Sequence, residues 1–198
     1  MRNVILMIMM VIGIMGCDGC NEVGGGRYYY LEQPMVDAET KVMGVYIDVL
    51  FNDRERGTIE EGISRWNKVL NGYKRMDIVG DFSGEIEKMK EADRGGAYLI
   101  LSIAPNSTLI KNDGHSLTLG FTDAIGGKYL YLVPEYIGEE DLYGIVLHEI
   151  GHLMGARHTE GGLMKAGYSS GQEVCIDKGT VEQIREYDWK RMNYCIRD

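Results

Sequence analysis

The stretch that most constrains this chain is His148-Glu149-Ile150-Gly151-His152-Leu153-Met154-Gly155-Ala156-Arg157-His158, which holds three of its four histidines. A spacing of four residues on an α-helix puts the His148 and His152 imidazoles on one face about one turn apart, where they can share a tetrahedral metal ion. Glu149 is offset by one position and can address a water on that metal without ligating it. Gly155 lacks a Cβ and tolerates the left-handed dihedrals that end a helix, so the chain can turn there and swing His158 back as a third ligand. The fold must therefore supply a helix that stops at Gly155 and a turn that returns to it. Three nitrogens leave a fourth position open, the arrangement of a catalytic rather than a structural zinc site. A site that binds metal without turnover is the alternative.

The N-terminus differs in composition from the rest. Arg2 precedes an almost wholly apolar run from Val4 to Met15, with no acid in residues 1–16. That run is shorter than the roughly 18 to 20 residues a spanning helix needs and has the length of a signal-peptide core. Ile14-Met15-Gly16-Cys17 resembles the lipobox of bacterial lipoproteins, in which the cysteine is acylated and becomes the new N-terminus. The resemblance implies an exported lipoprotein anchored to a membrane through Cys17 and facing outside the cytoplasm. Each buried acyl methylene contributes about 0.8 kcal/mol to such an anchor. A secreted protein with an ordinary signal, or an uncleaved anchor, is the alternative. Residues 17–40, with Gly24-Gly25-Gly26 and Tyr28-Tyr29-Tyr30, read as a tether, and 41–198 as one catalytic domain.

A chain of 198 residues can bury a sizeable core, roughly 70% of its unfolded surface. A formal charge of −9 repels phosphate backbones and argues against a nucleic-acid partner. The expected state is a monomer. Of four cysteines, Cys175 and Cys195 lie around one predicted helix and form the natural pair for a disulfide in an exported protein, two buried free thiols being the alternative. Cys20 is then spare.

Along the domain, Val42 to Leu50 reads as a first strand, and Thr58-x-x-Glu61 as a capping box opening a helix with Ile59, Ile63, Trp66 and Leu70 inward, ended by Gly72. Asp77 to Gly80 reads as a short strand, Ser83 to Asp93 as a helix and Ala97 to Ala104 as a buried strand. Leu117 to Ile125 and Lys128 to Val133 flank Gly126-Gly127 as a hairpin. The acids Glu139, Glu140 and Asp141 favour the start of the histidine-bearing helix, which runs to Met154. Thr180-x-x-Gln183 opens a C-terminal helix to about Met192, on which Tyr187 and Trp189 read as packing residues. The order suggests an α/β sandwich with the histidine helix beneath a mixed sheet. Asp113 and Asp123 are conceivable calcium ligands, but no EF-hand spacing supports calcium, and His115 is a lone loop histidine.

The pattern HExxHxxGxxH, complete at His148, Glu149, His152, Gly155 and His158, resembles the signature of the metzincin clan of zinc endopeptidases. The resemblance implies a zincin-like fold: a mixed twisted sheet, an active-site helix, and a small C-terminal subdomain with a methionine turn and a C-terminal helix. Met164 looks like the turn methionine, an apolar floor beneath the metal in that clan. Thr159 and Leu163-Met164-x-x-x-Tyr168 are similar to the matrixin-like branch, although Ala166 and Gly167 replace its proline region. Leu119-Gly120-Phe121 looks like the edge strand that pairs with extended substrate. Tyr168 is either an oxyanion donor or a wall residue. Zinc as cofactor, a peptide or protein as substrate, and Glu149 as general base follow from the resemblance. The alternative from another class is a zinc-stabilised binding or adhesion lipoprotein without turnover.

Overall fold

A computed structural model of the chain describes residues 21–23, 26–28, 40–84, 96–110, 117–171 and 174–195, with the backbone alone at 21–23, 26–28 and 189–195. Within the stretch read as a tether, β1 (Asn21–Val23) and β2 (Gly26–Tyr28) pair as a small antiparallel ribbon. The signal sequence, Cys17, Cys20, Asp113, His115 and the helix expected over residues 83–93 lie outside the described residues, apart from Ser83 and Gly84.

The main sheet has β3 (Lys41–Asp48), β4 (Lys74–Phe82), β5 (Tyr98–Ser102), β6 (Gly120–Thr122) and β7 (Tyr129–Leu132), in the order β4-β3-β5-β7-β6. Four strands run parallel, and β6 runs antiparallel to β7 at one edge. Alternation sorts the faces. Met43, Val45, Ile47, Met76, Ile100, Leu130 and Leu132 face the helices, while Phe82, Leu99 and Leu101 join Tyr46, Tyr129 and Tyr131 on the opposite face.

Helix α1 (Asp53–Leu70) starts six positions earlier than the Thr58 capping box suggests. The cap is Asn52, whose side chain accepts from the Arg54 and Glu55 amides at 3.0 Å while Glu55 returns to the Asn52 amide at 2.9 Å. Thr58 instead bonds the Arg54 carbonyl within the helix. Two boxes of one chemical pattern compete here, and the earlier one wins because each helical residue it adds gains a backbone bond. At the other end Asn71, at φ 41°, takes the left-handed cap before Gly72. The strand expected over 77–80 is longer, Lys74–Phe82, since pairing with β3 extends it in both directions.

Helix α2 (Leu142–Met154) carries the histidines, and α3 (Lys178–Cys195) closes the chain. Asp177, not Thr180, caps α3: its carboxylate accepts the Thr180 amide at 2.9 Å and the Thr180 hydroxyl at 3.0 Å. Cys175 is buried and disulfide-bonded. Helices α1 and α2 cross on one face of the sheet at Gly62, where an added Cβ would lie 2.6 Å from Val146 Cγ1. Trp66, fully buried, donates its indole N–H to the Leu147 carbonyl at 3.1 Å and so ties the two helices just before His148. No helix among the described residues is long and apolar enough to cross a membrane.

Candidate metal centre

Nearly every residue of α2 from Leu142 to Met154 is buried, as a helix pressed between a sheet and its neighbours must be. His148 and His152 project from it one turn apart, and Gly155, at φ 115°, releases the chain. Beyond the turn, His158 comes back. The three rings gather with centroids 4.6 to 5.4 Å apart. His152 Nε2 and His158 Nε2 are 3.0 Å apart, near the roughly 3.3 Å expected of two nitrogens on one tetrahedral zinc. One ligand atom from each of the three lies within 4.8 Å of the others, and among the described residues no second group of His, Cys, Asp or Glu converges in this way.

The rings are oriented by backbone oxygens that no motif displays. The Leu163 carbonyl accepts from His148 Nδ1 at 2.7 Å, and the Ala156 carbonyl from His152 Nδ1 at 2.8 Å. With Nδ1 as donor, Nε2 is the free lone pair, the tautomer a metal requires. Burial drives His152 down to about 4, against the opposing bond to Ala156, and also lowers His148, so both rings are neutral ligands at neutral pH. The donor set therefore fits zinc.

Glu149 is 6% exposed, and its Oε2 has no hydrogen-bond partner among the described residues. Burial pushes its carboxyl up to about 8. A buried carboxylate oxygen without a protein partner is costly, and such groups mark sites built for an added ligand or water.

The edge strand lies directly against this carboxylate. A Cβ at Gly120 would stand 2.9 Å from Glu149 Cγ, so the strand can approach only because the position is glycine. Leu119 turns its carbonyl inward to the Val133 amide at 2.9 Å, and Asp123 its amide to the Tyr129 carbonyl at 3.0 Å. Alternation along the strand then leaves the backbone groups of Gly120 and Thr122 facing the open edge of the sheet. Of the two expected edge residues, Gly120 offers a backbone to a further strand, and Leu119 packs its side chain on the core. The strand expected from Leu117 to Ile125 is confined to Gly120–Thr122; past Thr122 the Asp123 side chain takes the place of a backbone acceptor, its Oδ1 accepting the Lys128 and Tyr129 amides, each at 3.0 Å. The same two bonds engage Asp123 Oδ1 in its own loop.

Met164 is fully buried under α2, with Sδ 2.7 Å from where a Gly151 Cβ would be, beside His152 in sequence. The turn that carries it closes through the Thr159 amide on the Met164 carbonyl at 2.9 Å. Tyr168 packs over Gly144 in the first turn of α2, one helical turn before His148. Its hydroxyl donates to Asp141 Oδ1 at 3.1 Å, and that carboxylate also accepts the Gly171 amide at 3.2 Å. Burial first, and then the Asp141 carboxylate, hold the Tyr168 hydroxyl up at about 12.

No family model matches the sequence, and no curated protein matches it. Among solved structures the chain is similar to archaemetzincin from Methanopyrus kandleri, with a TM-score of 0.50 and 10% identity over 78% of this chain and 99% of that one. At that identity the likeness is one of fold. The chain thus has a mixed α/β, zincin-like fold in which the described residues bring three histidines together at the end of its central helix.

Proposed function

We propose that the chain is a zinc-dependent endopeptidase. The observation that carries this reading is the contact between three elements: a three-histidine cluster, the buried carboxylate of Glu149 next to it in sequence, and an open strand edge at Gly120 against that carboxylate. The archaemetzincin fold supports it.

His148, His152 and His158 would hold the metal, which when bound supplies Lewis-acid polarisation of the scissile carbonyl and a water pKa lowered towards about 7. The rest is done by the chain. An extended peptide adds a strand along Gly120–Thr122, with main-chain bonds giving affinity and little sequence demand. That register brings the peptide past Glu149. Glu149 accepts a proton from the attacking water and delivers it to the leaving nitrogen as the C–N bond breaks, while the water oxygen remains in the new carboxyl group. Met164 closes the floor beneath His152 and excludes water from below. Tyr168, held by Asp141, forms a wall at the far end of α2 and takes no part in the proton transfers. Within the clan, Thr159 and Leu163-Met164-x-x-x-Tyr168 favour the matrixin-like branch.

Glu149→Ala tests the reading. The variant should bind zinc as tightly as the wild type and lose at least about 10²-fold in cleavage of a peptide library, the usual worth of a general base. Equal, absent cleavage by both proteins with zinc bound would point to a binding module instead.

The apolar N-terminal run and the Ile14-Met15-Gly16-Cys17 sequence support export and lipid anchoring at Cys17, and the buried Cys175 disulfide suits that compartment, with Cys195 as its proposed partner. Replacing Cys17 with Ser should abolish metabolic labelling by palmitate and release the protein from membranes. Retained labelling would exclude Cys17 as the anchor.

A further inference from the structure

The last turn of α2 rests on a buried charged group that takes no part in the chemistry above. Lys74, at the start of β4, is 3% exposed. Its ammonium donates to the Met154 carbonyl at 3.1 Å and to Asp188 of α3, at 3.0 Å from Oδ1 and 2.9 Å from Oδ2. Asp188 also accepts from the Tyr73 hydroxyl at 3.3 Å and from Lys41 at 3.4 Å.

Buried ion pairs are poor stabilisers in general, because desolvation offsets most of the attraction and apolar residues often serve as well. Location is what distinguishes this one. Lys74 stands at the negative end of the α2 dipole, on the carbonyl of the residue before Gly155. The turn that follows is held by the same helix α3. Gln183 Oε1 accepts the amide of Arg157, the residue before His158, at 2.8 Å. The Tyr187 ring fills the space beside Gly155, where a Cβ would meet Tyr187 Cδ1 at 2.5 Å.

His148 and His152 are aimed by their helix and by the carbonyls of Leu163 and Ala156. His158 is exposed and sits on a turn, so its ring goes where the backbone of residues 155–158 puts it. We propose that Lys74, Asp188 and Gln183 are positioning residues for the third metal ligand: β4 and α3 clamp the turn, and the clamp sets the metal affinity of the site. None of the three touches metal or substrate. The inference rests on the metal centre proposed above.

The test uses the full-length chain and three readouts: zinc affinity by competition with a chromophoric chelator, the visible absorption of the cobalt-substituted protein, and thermal unfolding of the metal-free form. Gln183→Ala and Lys74→Met should each weaken zinc binding about 10-fold or more, as changes to groups that orient ligands commonly do, and should alter the cobalt spectrum. The doubly apolar variant Lys74→Met with Asp188→Leu removes the buried charges together and so guards against a single variant that cannot fold. It should unfold near the wild-type temperature yet bind zinc weakly. Variants with lowered unfolding temperature but wild-type zinc affinity and cobalt spectrum would overturn the proposal and leave the ion pair a stabiliser only. A wild-type chain that fails to bind zinc overturns the metal centre itself, a result distinct from equal binding by wild type and variants.

Discussion

Gly120 shows how much one missing side chain can decide. A Cβ there would stand 2.9 Å from Glu149 Cγ, 3.1 Å from Leu132 Cδ2 and 3.2 Å from the Tyr131 carbonyl oxygen. The last of these is backbone paired into the sheet and cannot give way, so Glu149 must move. Misplacing a catalytic group by about 1 Å costs on the order of 10²-fold. Gly120→Ala should therefore lower kcat/KM about 10²-fold with zinc content unchanged, measured by peptide cleavage alongside metal analysis. Wild-type kcat/KM would mean that the strand backs away instead. At this scale the three-histidine cluster was legible, because the spacing of His148, Glu149, His152 and Gly155 has one helical solution. The Leu163 and Ala156 carbonyls that orient the rings were not, since every residue carries a carbonyl and only the fold selects which one is used.

Among the elements, α1 and α2 form the pair on which the site depends. Their crossing at Gly62 is tight, with a Cβ 2.6 Å from the stiff side chain of Val146, whereas Gly57 on the same helix has nothing within 4 Å. Alanine gains about 1 kcal/mol of helix propensity over glycine at either position, so the two substitutions differ only in packing. Gly57→Ala should raise the urea midpoint. Gly62→Ala should lower it, because overpacking costs about 1 to 3 kcal/mol and exceeds the gain in propensity. A Gly62→Ala protein as stable as Gly57→Ala would show that the helices can separate freely. Sequence reading found both helices from the period of Ile59, Ile63, Trp66 and Leu70 and from the histidine spacing. It misplaced the start of each flanking helix, at Thr58 instead of Asn52 and at Thr180 instead of Asp177, because several residues of one capping chemistry occur in each stretch and the tertiary fold chooses among them.

For the whole molecule, elements from across the sequence meet at the candidate metal centre: β6, then α2 and the turn that follows it through His158, with β4 and α3 beneath. A metal that binds only the assembled site should stabilise all of them together. Zinc at about 100 times its dissociation constant adds about 2.7 kcal/mol to stability, which for a domain of this size raises Tm by roughly 5 to 11 °C. Thermal unfolding with zinc and with a chelator measures the difference. His158→Ala should reduce that shift to a small remainder, since two imidazoles on a helix bind zinc weakly, and a full shift in that variant would remove His158 from the ligand set. The order β4-β3-β5-β7-β6 belongs to the same scale. Strand patterning shows that β3, β5 and β7 are buried, but not which is next to which, because pairing is a contact between segments with no local signal.

The sequence by itself determined the groups on which the proposed chemistry rests: three imidazoles, one carboxylate and a glycine at spacings that a helix and its end interpret locally, through 3.6 residues per turn and the freedom of a residue without Cβ. Only the tertiary structure decided the surroundings of that chemistry. It set Gly120 against Glu149, aimed two imidazoles with carbonyls from the following turn, and placed Lys74 and Asp188, 114 residues apart, as one buried pair under Met154. Such contacts depend on long-range burial, where the cost of desolvating a charge is met only by a partner that the fold brings near.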